Sequence, residues 1–344
     1  MVSLENFRRI EPTIAVVIPA HQAEHQIDEC LAAVLANGFE PSDILVVDDG
    51  SRDATGERAR THGVKVIRNE TPLQPAEARN RGVAEVDAEI VLFVDADVVI
   101  RPGVRQRVLK HFEDESITAV IGSYDTEPPA PAAVSRYRNL LHHHVHQKSA
   151  GEAETFWTGL GAVRREAFMR AGGLRREWQN IEDVEFGVRL KRMGGRIVLD
   201  PAIQGTHLKA WTLGSMFRTD LYGRAVPWTR LLMFEGMEGG GLNTASNHRI
   251  AALSVAAFLG FMFLALFDAS FLWLALVALV VFLAVNASLW KLLARVGGPG
   301  LALKAIPFHA LHYVAALLGY ARVVLFEVPR RRLRGSESAA SSTG

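Results

Sequence analysis

An α/β domain built on a mainly parallel sheet, followed by an all-α membrane segment, is the architecture this sequence predicts. The first observation is an alternation of short β-branched runs with charged stretches of helical spacing, from Ile14 to about Met233. The second is a change of composition after Gly236, Gly239, Gly240 and Gly241, where uncharged apolar runs follow almost back to back. The third is a set of polar clusters at the ends of the apolar runs, where an open α/β sheet holds its ligands.

The strand expectations are Ile14–Pro19, Ile44–Asp48, Val64–Arg68 and Ile90–Val94, each followed by turn residues or a helical stretch. Their ends carry Pro19-Ala20-His21, Asp48-Asp49-Gly50-Ser51 and Asp95-Ala96-Asp97, which should meet in one crevice. Beyond the glycines, Ile250–Phe267 lies between Arg249 and Asp268, and Ala269–Trp290 ends at Lys291. A crossing needs roughly 20 apolar residues, so both qualify; a buried helical hairpin of a soluble protein is the bland alternative. Lys291, Arg295 and Lys304 then mark a cytoplasmic loop and put the first domain in the cytoplasm.

A further segment, Ala305–Phe326, carries His309, His312, Tyr313, Tyr320 and Arg322 and precedes the basic run Arg330-Arg331-Arg332 with Arg334. Crossing there would carry those arginines outward, so the expectation is an interfacial helix, with a third crossing as the alternative. The division is then 1–235 for the α/β domain, 236–249 for a Gly-rich linker, 250–329 for the membrane segment, and 330–344 for a basic, then disordered, tail.

Composition narrows the function classes. The chain has 344 residues, room for one large or two modest domains. A net charge of +1 provides no global field for nucleic acid. The lone Cys30 excludes an intramolecular disulfide framework and a Cys-based zinc site, and it fits a reducing compartment. Met1–Pro12 is polar and does not read as a secretion leader.

Two carboxylates one residue apart at a strand end, Asp95 and Asp97, can offer oxygens to a hard divalent cation such as Mg²⁺ that also holds substrate phosphates. The bland reading is a solvated turn. Asp48-Asp49-Gly50-Ser51 is equally turn chemistry, yet a carboxylate there can accept from a nucleobase or ribose. Asn180-Ile181-Glu182-Asp183-Val184-Glu185 reads as a helix start, whose dipole keeps a carboxylate ionised.

As an ordered set, Val16-Val17-Ile18-Pro19-Ala20, Val46-Val47-Asp48-Asp49-Gly50-Ser51, Ala78-Arg79-Asn80-Arg81-Gly82 and Val94-Asp95-Ala96-Asp97 resemble the motifs of family 2 glycosyltransferases. Trp157-Thr158-Gly159 and Ile181-Glu182-Asp183 look like that family's acceptor-side loop and Glu-Asp motif, and the resemblance covers about residues 12–235. It implies a GT-A fold and an inverting, Mg²⁺- or Mn²⁺-dependent transfer from a nucleotide diphosphate sugar, a UDP-sugar favoured. Pro19, Ala20 and Asp49 would line the nucleoside site, with Arg79 near the base or diphosphate. Asp95 would face the ribose or diphosphate, Asp97 would bind the metal, and Asp183 would be the catalytic base. The family usually has an aromatic and then Asn after Pro-Ala; here His21-Gln22 stands, and His21 can still stack on a base.

Trp157, Thr158, Gly159, Glu182, Arg224 and Trp228 are expected on the acceptor or diphosphate side. Arg224 and Trp228 stand four apart and do not match the Gln-x-x-Arg-Trp pattern of processive members, which argues against processivity. His142 and His146 have the spacing of a metal pair, or form the polar part of a helix near the acceptor mouth. A base-equipped site suggests an acceptor hydroxyl on a lipid or lipid-linked sugar; an already anionic polyprenyl phosphate ranks second. The rival from another class is a silent domain serving as a membrane-bound assembly module. A soluble nucleotidyltransferase would explain neither the apolar runs nor Asp183.

Overall fold

The computed structural model describes residues 12–235 and 246–329. The N-terminal residues, the Gly-rich stretch 236–245 and the basic tail from 330 lie outside the described residues.

The chain opens with β1 (Ile14–Ala20), α1 (Ile27–Ala36), β2 (Ile44–Asp48), α2 (Thr55–Thr61), β3 (Lys65–Arg68), α3 (Pro75–Ala84) and β4 (Ile90–Val94). It continues through β5 (Val98–Ile100), α4 (Val104–Phe112), β6 (Ile117–Tyr124), α5 (Ala133–Lys148), β7 (Gly151–Ala153), β8 (Leu160–Arg164) and α6 (Arg165–Arg170). Then come α7 (Glu182–Arg192), β9 (Arg196–His207), α8 (Leu213–Arg218), a π-helical segment Thr219–Ala225 and α9 (Val226–Phe234). The described chain ends with α10 (Ser246–Leu264), α11 (Phe271–Val285) and α12 (Ala287–Arg322), the last running into a second π-helical turn, Val323–Glu327.

Among the described residues the strands form one sheet in the order β3-β2-β1-β4-β8-β6-β9-β5, with β7 also on β9. The quartet β3-β2-β1-β4 is parallel. Beyond it the sheet is mixed: β8 runs antiparallel to β4 and β6, β9 is parallel to β6, and β5 and β7 are antiparallel to β9. The expected mainly parallel sheet thus holds for its first half only. Strand direction is set by where the chain returns from, and a buried run such as Leu160-Gly161-Ala162-Val163 carries no mark of it.

Alternation builds two cores. Val16 and Ile18 of β1 meet Ile27, Leu31 and Val34 of α1 and Val108 of α4 on one face. Val17 meets Val83 of α3, Phe168 of α6 and Phe186 of α7 on the other. Because β1 pairs with β2 and with β4, the ends at Ala20, Asp48 and Val94 are neighbours and open on one crevice.

Two of the described helices are long and apolar enough to cross a membrane, Asn247–Leu264 and Ala287–Glu327. The expected second run is divided: α11 stops at Val285 because Asn286 Nδ2 turns back to donate to the Phe282 carbonyl at 2.9 Å, and Ala287–Trp290 begins α12. The expected linker residues 246–249 already belong to α10. Bent at Gly298, where φ is 78°, α12 lays Leu289, Leu293, Leu301 and Ala305 against Tyr137, Leu140 and Leu141 of α5. Its buried His309 finds partners inside the protein. Tyr137 Oη and His309 Nδ1 are 2.8 Å apart, and His309 Nε2 donates to Asn286 Oδ1 at 2.9 Å.

Candidate active site

The Asp95-Ala96-Asp97 turn sits between β4 and β5, and β5 pairs with the end of β9 so that Val98 faces His207. This register brings His207 Nε2 to 3.4 Å from Asp97 Oδ2. On its other edge, His207 Nδ1 donates to Asn139 Oδ1 at 2.7 Å, which leaves Nε2 a lone pair toward the carboxylate. Two acceptors at that separation are stable with a cation or a proton between them. The Asp97 carboxylate oxygen suits Mn²⁺ or Mg²⁺, and the imidazole nitrogen beside it favours the softer Mn²⁺ of the two, so the residues present fit Mn²⁺ better than Mg²⁺. Among the described residues no group of three or more His, Cys, Asp or Glu converges on one point. The ion's remaining ligands would therefore be diphosphate oxygens and water. Nothing in the local sequence around His207 marks it; the signal is its position at the end of the strand that pairs with β5.

The two aspartates are driven apart electrostatically. Burial and the neighbouring Asp97 push the Asp95 carboxyl up against the pull of Arg79. Asp97 is also buried, but when a proton rather than a metal ion lies between it and His207, that hydrogen bond and the charges of His207 and Lys209 hold it below the ordinary range.

Arg79 crosses the floor of the site. Its Nη2 donates to Asp95 Oδ1 at 2.6 Å and its Nη1 to Glu182 Oε1 at 2.9 Å, so α3, the β4 end and α7 are locked together. Glu182 is thus buried as an ion-pair partner, raised by its burial and by Asp183 despite Arg79. Asn80 next door clamps Leu174 in both directions at 2.8 Å.

Asp183 enters from the first turn of α7. The Thr158 backbone N–H and hydroxyl donate to its Oδ2 at 3.1 and 3.3 Å, and the Val184 N–H donates to Oδ1 at 2.8 Å. The next carbonyl in that loop, Gly159 O, accepts from Asp95 N at 3.2 Å. Thr158-Gly159 therefore spaces the Asp183 carboxylate from the Asp95–Asp97 turn. Trp157 packs against Tyr124, His142 and His146, with ring centroids 4.9, 4.8 and 5.0 Å away, and Tyr124 stacks on His207 at 4.3 Å. Burial pushes both His142 and His146 down, the latter to about 4, and so favours neutral rings. His146 Nδ1 donates to the Gly122 carbonyl at 2.9 Å, tying α5 to β6.

On the nucleoside side the expectations meet a difference. Both Asp49 oxygens are engaged: Oδ1 accepts from Asn69 Nδ2 at 2.7 Å and Leu73 N at 2.8 Å, and Oδ2 accepts from Gln74 N at 3.0 Å. Asp49 shapes the 69–74 loop beside Pro19 and Ala20. Exposed His21 donates from Nδ1 to the Asp49 carbonyl at 2.8 Å. Gln22, the departure from the family pattern, has φ of 52°, and its side-chain oxygen accepts from Arg52 N at 2.9 Å and Asp53 N at 3.2 Å.

Arg224 and Trp228 part company. Trp228 packs with Ile181, Val188 and Leu231 in a separate apolar cluster. Half-buried Arg224 rides the π-helical segment, and its charge acts on Tyr124, Asp183, His142 and His146. Burial, then Arg138, lowers it to about 10, and it makes no hydrogen bond or ion pair among the described residues.

Residues 15–174 match the model of Glycosyl transferase family 2. That stretch is similar to a family 2 glycosyltransferase domain. Similar curated proteins include the glycosyltransferase GlyG of Streptococcus pneumoniae, 27 % identical over 32 % of this chain and 38 % of that protein. An uncharacterized glycosyltransferase of Haemophilus influenzae is 25 % identical over 52 % of this chain and 61 % of its own length. The chain thus spans between 38 % and 61 % of these two relatives. A solved mannosyltransferase from Pyrobaculum calidifontis, in complex with GDP-Man and Mn²⁺, has a TM-score of 0.60 at 19 % identity, covering 93 % of this chain and 89 % of that one. This likeness establishes the glycosyltransferase-A fold.

Proposed function

We propose that this chain acts as a family 2 glycosyltransferase, moving a sugar, with inversion, from a nucleotide diphosphate donor to a hydroxyl of a lipid or lipid-linked acceptor at the cytoplasmic face of a membrane. The observation that carries the reading is the Asp183 carboxylate, held by Thr158 one residue from the loop carbonyl that fixes the Asp95–Asp97 turn. A sugar or lipid hydroxyl is a poor nucleophile, and a carboxylate so oriented takes its proton as the bond to the anomeric carbon forms. The nucleotide diphosphate leaves from the opposite face, so the anomeric centre inverts.

Pro19, Ala20 and His21 line the nucleoside side, with Asp49 acting through the 69–74 loop it holds. Arg79 and Glu182 keep Asp95 in register beneath the ribose and diphosphate. Asp97 and His207 would hold Mg²⁺ or Mn²⁺; when bound, such an ion neutralises charge on the departing diphosphate. The solved mannosyltransferase, with its Mn²⁺ and GDP-Man, is consistent with that donor set. Trp157 and Gly159 border the acceptor, and Arg224 supplies a cation on the diphosphate side. Trp228 supports α7 through its apolar cluster.

The α10–α11 hairpin is the proposed anchor, with Leu266, Phe267 and Trp273 more than two-thirds exposed at and beside its tip. The helix α12, fastened to α5 and the π-helical segment, is proposed to lie along the membrane surface. The testing experiment incubates the purified full chain with a panel of nucleotide sugars and Mn²⁺ or Mg²⁺, then analyses membrane lipids by mass spectrometry. Metal-dependent donor binding with a glycosylated lipid product is expected. Failure to bind any nucleotide sugar would overturn the enzyme reading in favour of a silent assembly module.

A further inference from the structure

The helix α12 does more than sit near the membrane. His312 Nδ1 and Asp220 Oδ2 are 3.0 Å apart, and the other oxygen of this almost wholly buried carboxylate pairs with Arg138 Nη2 of α5 at 2.6 Å. Two turns further along α12, Gly319 lies against the backbone at Ala225: a Cβ on Gly319 would stand 2.5 Å from Ala225 Cβ and 3.0 Å from its carbonyl carbon. Arg322 then covers the ring of Tyr222 at 5.8 Å, and Arg230 makes a two-pronged ion pair with Glu327 at 2.7 Å for each prong. All but the Arg230–Glu327 pair, which lies on α9, fall on the π-helical segment Thr219–Ala225.

A π-helix is poorer in energy than the α-helix that would replace it, so it persists where surrounding contacts impose it, often at functional sites. This one carries Arg224 four residues after Asp220 and packs Gly223 against Asn180, in the turn that leads into Asp183. We propose that α12 is a positioning element of the transfer site: His312 on Asp220 and Gly319 against Ala225 hold the π-helical turn that aims Arg224 at the diphosphate of a nucleoside diphosphate donor. The inference rests on the donor-site reading above. It makes the C-terminal helix part of the donor site as well as of the proposed membrane-surface contact, so the α/β domain without it would bind donor poorly.

The test is a double-mutant cycle on the full-length protein in detergent micelles, by calorimetry with UDP and with GDP in the presence of Mn²⁺. His312→Ala should weaken nucleotide binding about tenfold at unchanged stoichiometry, in the range of a lost charge-assisted hydrogen bond. His312→Asn, which keeps a donor, should restore most of it, and Gly319→Val, which pushes the two segments apart, should weaken binding as His312→Ala does. In an Arg224→Ala background the His312→Ala change should add nothing further, because its effect passes through the missing guanidinium. Misfolding would lower the bound stoichiometry with the affinity retained, and that result overturns the positioning role. An equal loss in both backgrounds, or none in either, does the same while the donor reading stands. Should the wild type bind neither nucleotide, the donor reading itself falls.

Discussion

Asp183 is surrounded by donors and makes no ion pair among the described residues. Thr158 N–H and O–H and the Val184 N–H orient its oxygens, leaving lone pairs for an incoming hydroxyl. Asp183→Asn keeps the shape and removes the proton acceptor. Turnover should fall by about 10²–10⁴, the range general-base catalysis supplies, while nucleotide-sugar affinity stays close to wild type. Steady-state transfer and calorimetry check both halves, and retention of more than about a tenth of wild-type turnover would contradict the base role. His207 makes a different prediction. If it shares a divalent ion with Asp97, His207→Ala should abolish the Mn²⁺-dependent part of donor binding, as EDTA does in the wild type. Binding by the variant that still collapses on adding EDTA would show that the ion is held elsewhere.

At the scale of elements, the site depends on how closely α7 approaches the loop after β7. Gly187 lies where a Cβ would stand 2.1 Å from Phe156 N and 2.6 Å from Thr155 C, so only glycine lets this helix touch that backbone. Both halves of the Asp183–Thr158 contact ride on the two segments concerned. Gly187→Ala should therefore destabilise the protein by about 1–3 kcal/mol and cut turnover by about 10²-fold through a displacement of order 1 Å. Thermal melting and kcat measured together check this; unchanged kcat with lowered stability would mean that the helix shifts without moving Asp183. The charge pattern of α7 supports its own placement, with Glu182, Asp183 and Glu185 in its first turn and Arg189, Lys191 and Arg192 in its last.

For the whole molecule, the decisive feature is the fastening of α12. It is packed from Leu289 to Ala305 on α5, tied at His312 to Asp220, and tied beyond its end by Glu327 to Arg230. On the proposed interfacial placement, a helix fastened at both ends to the α/β domain stays on that domain's side. The hairpin α10–α11 is different: α11, at 15 residues, extends about 22 Å, short of the ~30 Å hydrocarbon core. The expected topology therefore keeps the tail with the α/β domain. In a Cys30→Ser background, Ser341→Cys should be labelled by a membrane-impermeant maleimide only after cells are lysed. Labelling of intact spheroplasts would put the tail outside and refute the interfacial placement of α12. Cys30 is fully buried with its thiol pushed up by that burial, so its removal serves as a precaution.

What the amino-acid order determined unaided was whatever depends on neighbours in the chain. The strands Ile44–Asp48 and Ile90–Val94 end where the β-branched runs end. The carboxylates at Asp49, Asp95, Asp97 and Asp183, and the apolar composition of the helices after residue 249, were legible for the same reason. Tertiary structure decided what depends on residues far apart. His207 reaches Asp97 only through the β5–β9 register, 110 positions along the chain, and Arg79 joins Asp95 to Glu182 only once three elements have packed. Asp49 spends its oxygens on loop 69–74, which no local pattern announces. The break at Asn286 was hidden because an amide inside an apolar run leaves its hydropathy almost unchanged, whereas the hydrogen bond that ends α11 depends on backbone geometry. Side-chain type and spacing act within a turn or a strand, while register, strand direction and long-range ion pairs are chosen only when the chain closes on itself.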